Sequence, residues 1–365
     1  MSQFSIDRKY IYKFKGSIKS FHFQWKFINI QPNITLKRSK IMAAKKPVSW
    51  FLTERGRKFS FAVVTGTGMA LTAARFSPHT FLLGKYKDFV HYYSNGKPAE
   101  LTSELQKKYE KCLDMLSISE VHRKLFEPFC VFGYDLFHAG CTNSRFGALV
   151  GIPINFTYKS LSDVEQQNIQ VNQKTLDLSS EIGKKLGESL ILPDTVQEFA
   201  ICREMLMTQN NKIMFESTYP FVCIFLVYNL SQYMNRRLNL YAAPLNARAI
   251  MYSIVGLFGL GSYFLMKDMT EIHYETEVDK KLCEMGPSFI ESGVIFYEKL
   301  LQRNQALREL MGKEGEKKYS KLGNENYGVR QPHVALIHRK QFFDLKLKEY
   351  QEKNEQNLEN NPNSV

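Results

Sequence analysis

The chain has 365 residues and a formal charge of +13, but the basic excess is confined to one end. Residues 1–58 hold 14 Lys+Arg against 2 Asp+Glu, whereas residues 59–214 hold 16 of each and residues 267–365 hold 16 and 17. A nucleic-acid-binding face would spread charge over a folded domain, so no nucleic-acid partner is expected. The six cysteines show no CxxC and no zinc-finger His spacing, which argues against a disulfide framework and a structural zinc.

Residues 1–58 are basic, aromatic and nearly free of acids, the composition of a mitochondrial import signal. The stretch beginning at Met42, MAAKKPVSWFLTERGRK, would itself serve as a start and a signal, making residues 1–41 an upstream extension. Residues 59–74, FSFAVVTGTGMALTAA, are uncharged between Lys58 and Arg75. Sixteen helical residues rise about 24 Å, slightly short of a hydrocarbon core of about 30 Å. Lys58 and Arg75 can snorkel to the interfaces, so this run is expected to be a span.

Residues 75–214 read as an α+β domain. A spacing of three and four among Leu101, Leu105, Tyr109, Cys112, Leu113 and Leu116 predicts a helix within 99–127, ended by Pro128. Residues 129–158 are rich in aromatics, Gly and β-branched residues and predict two or three strands, with a turn at 142–144 and a bend at 151–153. His138 reads as a strand residue rather than a ligand. Residues 159–180 predict a loop with short helical pieces. A helical block follows over 181–215, with Asp194 as N-cap and Gln197 at the capping-box position.

Two uncharged runs organise the rest. Residues 217–235 and 249–266 give 19 and 18 residues without a charge, each enough to cross a bilayer. The loop between them, RRLNLYAAPLNAR, has three Arg and no acid. The positive-inside bias places that loop and the basic N-terminus on the same, matrix side. An even number of crossings between them is then required, which three spans in total provide. The fold class expected is a mostly α membrane protein with a small β element, built on a helical transmembrane hairpin plus an N-terminal span. Residues 267–340 predict a helical domain whose main helix buries Phe289, Ile290, Val294, Tyr297, Leu300, Leu301, Leu307 and Leu310 and stops at Gly312. Residues 341–365 alternate Lys and Glu and are expected to be disordered.

Motifs of chemistry are few. Gly66-Thr67-Gly68 lacks the Lys-Ser/Thr of a phosphate loop. Met205 and Met207 read as packing residues rather than copper ligands. The segments 292–319 (SGVIFYEKLLQRNQALRELMGKEGEKKY), 147–156 (GALVGIPINF), 198–205 (EFAICREM) and 241–249 (YAAPLNARA) resemble the transmembrane protein 177 family of mitochondria. Residues 42–66 look like that family's start, and the resemblance spans most of 42–330. It implies a multi-pass inner-membrane protein that associates with newly made cytochrome c oxidase subunit two and its membrane chaperone and stabilises them. It implies no catalytic residue and no cofactor.

A fainter resemblance, in the order of elements, is to HtpX-like membrane zinc metallopeptidases. Strands, a helix with Arg203-Glu204-Met205-Leu206-Met207, a membrane hairpin and then Glu275-Thr276-Glu277-Val278-Asp279 follow that order. Glu204 matches the general base of HExxH, Glu275 the third ligand and Asp279 the acid after it. Arg203 and Met207 stand where the two His should be. A guanidinium repels a dication and a thioether binds zinc poorly, so neither a metal nor an activated water is expected. Arg203 could instead pair with Glu275 across the vacated site. The expected function is a non-enzymatic assembly or stability factor. An active membrane metallopeptidase using other ligands is the alternative. A carrier or channel fits poorly, because the spans hold no ionisable residue.

Overall fold

A computed structural model describes residues 50–360. The expected import segment lies almost wholly outside these residues. After a turn of 3-10 helix at Trp50–Leu52, helix α1 runs Glu54–Phe76, capped by the Thr53 hydroxyl, which accepts from the Gly56 N–H at 3.1 Å. Helix α2 (Leu83–Val90), the hairpin β1–β2 (Tyr93–Ser94, Lys97–Pro98), α3 (Ser103–Met115) and the single turn α4 (Glu120–Arg123) lead into strands β3 (Phe126–Val131), β4 (Phe137–Cys141) and β5 (Gly147–Pro153). Then come α5 (Leu161–Gln166), the hairpin β6–β7 (Gln170–Val171, Lys174–Thr175), α6 (Glu181–Leu190) and α7 (Asp194–Thr208). The long helices α8 (Lys212–Arg237) and α9 (Leu245–Glu284) precede α10 (Pro287–Leu310), α11 (Lys313–Lys318) and α12 (Leu336–Asn360). The chain is thus mostly helical, with a few small sheets.

The main sheet has the order β3-β5-β4, with β3 parallel and β4 antiparallel to β5. Pro128 was expected to close a helix, yet it lies inside β3. The edge position allows this, because the missing N–H can face away from the ladder. The helix before it accordingly ends earlier, at Met115. Central β5 is buried at every residue, as a strand covered on both faces must be.

Asp194 does not cap α7. Pro193 is the N-cap, and the Asp194 carboxylate is drawn to Lys108 Nζ at 2.8 Å. Gln197 accepts from the same ammonium at 2.6 Å and donates to the Leu192 carbonyl. A buried lysine outcompetes the capping box here, since leaving it unpaired would cost far more than a cap contributes.

Among the described residues, helices α8 and α9 are the two that are long and apolar enough to cross a membrane. They pack against one another closely: a Cβ on Gly259 would lie 2.1 Å from a Val227 methyl. At about 1.5 Å per residue, α9 is about 60 Å long and continues without a break from the membrane run into the folded domain. Helix α1 lies along the other flank of α8, with Gly68 against Phe221 and Phe61 against Phe225. An Arg75–Glu216 ion pair ties the ends of α1 and α8 that lie nearest the domain.

The segments on either side of the hairpin share one core, in which Tyr109, Val150, Phe199, Tyr297 and Phe343 are all at most 1% exposed. Gly312, with a φ of 59°, follows the last turn of α10. The C-terminal segment departs from expectation. Residues 341–360 are helical, not disordered, and α12 lies along α10. The reason is the Phe342–Phe343 pair amid the charges. Phe343 seats against Gly293 of α10, where a Cβ would come within 2.4 Å of the ring. Phe343→Ala should therefore destabilise the fold by about 3–5 kcal/mol, whereas a dispensable tail would leave thermal unfolding of the detergent-purified protein unchanged.

Candidate functional site

The residues that stand out chemically converge where α7, α9, α12 and β4 meet. Helix α7 is buried along most of its length, and Arg203 and Glu204 lie on its side toward β4 and α9. Glu275 and Asp279 come one turn apart from the part of α9 beyond its apolar run, both about 4% exposed. Arg339 arrives from the first turn of α12 and is 3% exposed. So many buried charges are tolerable only if each finds a counter-charge and hydrogen bonds.

Each does. Arg203 pairs with Glu204 through one guanidinium nitrogen and lies 3.8 Å from Glu275 Oε1 through the other. Arg339 Nη1 stands 3.3 Å from the same Glu275 oxygen. Its Nε and Nη2 donate to the two oxygens of Asp279, both at 2.7 Å, in a bidentate fork. The Tyr297 hydroxyl adds a third bond to Asp279 at 2.9 Å, and the Arg339 guanidinium sits 4.7 Å from the Tyr297 ring centroid. At the opposite end, His138 Nδ1 of β4 meets the second Glu204 oxygen at 2.5 Å. Glu275 is completed by the Val334 N–H at 2.8 Å and by His333 Nδ1 at 3.1 Å. The result is a continuous ionic chain from His138 through Glu204, Arg203, Glu275 and Arg339 to Asp279.

The titration of these groups reflects the chain. Burial pushes both glutamates up. For Glu204 the Arg203 guanidinium and His138 outweigh it, and for Glu275 the His333 hydrogen bond, Arg339 and Arg203 do; each carboxyl is held at about 2. His333 is raised, chiefly by its bond to Glu275. His79, behind His138, is lowered to about 4 by burial and by the neighbouring cations and His138.

Four of the five residues singled out from sequence, Arg203, Glu204, Glu275 and Asp279, meet in this cluster. Met207 does not: it is buried in the apolar core. Arg339, His333 and Tyr297 were missed, and His138, read as a strand residue, is a member. The one signal available for Arg339 was its place just before the Phe342–Phe343 pair.

A cleft of about 410 Å³ runs beside the cluster, lined by Arg203, Glu275, Arg303, His333 and Arg339 among others. At its edge, ligand atoms of Glu271, Glu275 and His333 lie within 4.8 Å of one another, the spacing of a metal site. The donor set does not fit a dication. Glu271 is held by Lys212 Nζ at 2.7 Å, and Glu275 by two guanidinium groups and a backbone N–H. Three fixed cations already occupy the electrostatic role that a metal would take.

The transmembrane protein 177 family model matches residues 51–357. The chain belongs to the transmembrane protein 177 family. Among its relatives are the transmembrane protein 177 of Xenopus laevis, 29% identical over 288 residues that cover 76% of this chain and 90% of the frog protein. The Homo sapiens protein is 28% identical over 262 residues, covering 72% and 83%. The Danio rerio protein is 29% identical over 248 residues, covering 67% and 79%. No solved structure matches the chain. The family match takes in every residue of the ionic chain, from His138 to Arg339.

Two outcomes follow for this member of the family. Replacing Arg203 by Met leaves Glu204 and Glu275 short of a counter-charge and should cost about 3–5 kcal/mol in unfolding experiments. The pH dependence has a defined sign. Both glutamates have folded values below their ordinary 4.5. Their stabilisation is therefore present above about pH 4.5 and is lost as pH falls toward about 2. His333 is raised, so its smaller contribution is present below 6.5 and is lost as pH rises through its folded value. The melting temperature should fall steeply below pH 4.5 and decline gently as pH rises above 6.5, the latter abolished by His333→Ala. A melting temperature unchanged down to pH 3 would contradict the assignment.

Proposed function

We propose that this protein is a non-enzymatic factor of the mitochondrial inner membrane that assists assembly or stability of newly made cytochrome c oxidase subunit two together with its membrane chaperone. The partner and the location come from the resemblance of the chain to its family. The non-enzymatic part rests on one observation: the Arg203 guanidinium stands between Glu204 and Glu275. In a zinc peptidase of this element order, the glutamate of the helix would activate a metal-bound water and the glutamate after the hairpin would hold the metal. Here a fixed, non-exchangeable cation sits against both carboxylates, bonded to Glu204 and 3.8 Å from Glu275. Glu204, held at about 2 and doubly engaged, is too weak a base for water activation near neutral pH. We read the cluster as a static clamp in a scaffold without catalysis.

The second reading, a metallopeptidase with other ligands, has Glu271, Glu275 and His333 as its only observation. Elemental analysis separates the two. The clamp predicts metal well below one equivalent in detergent-purified protein, and stoichiometric zinc that disappears in Glu275→Gln would refute it.

Three spans are proposed, with α1 as the first, because α1 lies along α8 and because the segments flanking the hairpin share one core and must lie on one side of the membrane. With the basic N-terminus and the loop after α8 in the matrix, that core faces the intermembrane space. Protease added to mitoplasts should remove a C-terminal tag, and protection until the inner membrane is lysed would sink this topology. Crosslinking of the tagged protein in intact mitochondria should recover subunit two during its synthesis. Recovery of neither subunit two nor its chaperone would remove the partner assignment.

A further inference from the structure

Beside the point where the hairpin leaves the membrane, the domain carries an apolar surface that nothing in the core explains. Phe81 and Leu82 are 68% and 50% exposed on the segment leading into α2. The opposite face of α2 is the one that packs, with Leu83, Tyr86 and Val90 seated on the sheet. Phe146, from the turn between β4 and β5, meets Phe81 edge-on at a centroid distance of 4.8 Å. The exposed Arg145 lies 5.1 Å from the Phe146 ring centroid. Lys85, one turn on from Phe81, is also exposed. Neither Arg145 nor Lys85 has an ion-pair partner among the described residues.

The level of this surface is set by hydrogen bonds. The Thr142 N–H donates to the Thr208 carbonyl at 3.1 Å, and Asn143 Nδ2 donates to Asn211 Oδ1 at 2.9 Å. The turn is therefore pinned to the residues just before α8, which starts at Lys212. The uncharged run of α8 begins at Ser217, five residues or about 7.5 Å of helix further on. Phe81 lies five residues beyond the end of α1. The headgroup zone of one leaflet is about 5–8 Å deep, the difference between a bilayer of about 40–45 Å and its core of about 30 Å, halved. The turn that carries the half-buried Phe146 is thus tied within about one headgroup depth of the start of the uncharged run, with the two cations beside the rings.

We propose that Phe81, Leu82 and Phe146 form a lip that inserts into the lipid headgroup region, with Arg145 and Lys85 against anionic lipid phosphates. Aromatic rings with basic neighbours are the side chains that favour this zone. The turn that carries Phe146 is hydrogen-bonded to the residues leading into the membrane hairpin, which is what identifies the lip's occupant as lipid. The inference uses only the hairpin's membrane placement, so it stands or falls separately from the partner proposed above.

The test uses the full chain with Trp25 and Trp50 replaced by Phe and one new tryptophan, at Phe81, Phe146 or Phe132. Phe132 is the control: it is 74% exposed but follows β3 at the end of the sheet away from the 142–146 turn. Each variant is placed in nanodiscs of phosphatidylcholine and phosphatidylglycerol containing a lipid with a spin label near its headgroup. F81W and F146W should lose emission to the label while F132W keeps it. Emission from F81W and F146W that matches F132W would overturn the proposal, as would shielding from aqueous iodide without quenching by the lipid. R145E with K85E should abolish the extra quenching that phosphatidylglycerol gives over phosphatidylcholine alone. Unchanged quenching in that variant would overturn the anionic-lipid part. L82W supplies an independent reporter should either ring position disturb the fold.

Discussion

The bidentate pair of Arg339 with Asp279, and its extension through Glu275 to Arg203, is the constraint on which the domain depends. Three helices far apart in sequence contribute: α7 before the hairpin, α9 leaving it and α12 at the C-terminal side. None of these charges could be buried alone, because the desolvation of a single unpaired ion exceeds the stabilisation from the apolar residues around it. The helices must therefore assemble together. The apolar core of Phe199, Tyr297 and Phe343 lies directly alongside, and Tyr297 belongs to both, with its ring in the core and its hydroxyl on Asp279.

The cluster also explains why the two halves of the chain form one body. The hairpin sends α8 away from the domain and brings α9 back, a detour that could have left two independent domains. Glu275 and Asp279 lie just beyond the returning membrane run and fix it to α7, which immediately precedes the outgoing helix. Lys212 on Glu271 adds a second tie at the same level. Arg75 on Glu216 adds a third, between α1 and α8. Polar ties thus ring the base of the α8–α9 hairpin, while its two apolar runs meet closely at Gly259 on Val227. This division follows from solvent: between helices in lipid there is no hydrophobic drive, so close packing holds them, and ion pairs are left to the domain.

Much of this was legible in the sequence. The hairpin, the strand region around 129–158 and the apolar face of α10 are written in uninterrupted charge-free runs, in β-branched and aromatic clusters, and in helical spacing. The encounter of Arg203 with Glu275 was readable only by laying the element order over that of a known scaffold. Arg339 was hidden for a physical reason. Its helix is amphipathic through one dominant contact, Phe343 in the notch over Gly293, and averaging over a Lys/Glu-rich window conceals a single deep anchor. The capping box at Asp194 failed because a distant buried Lys108 claims both its residues. Local rules carry no knowledge of such tertiary competitors.

The uninterrupted course of α9 has a mechanical consequence. A helix with no proline and no break in its hydrogen-bond ladder is a stiff rod, and this one runs from the membrane hairpin into the domain. A tilt of about 10° would displace Asp279, about 20 Å along the helix beyond the end of the apolar run at Met266, by about 3 Å. Glu275 and Asp279 ride on the outer arm of that rod, held by bonds that tolerate a few tenths of an ångström. The static clamp therefore also resists any change in the tilt of α9 that a bilayer of different thickness would favour.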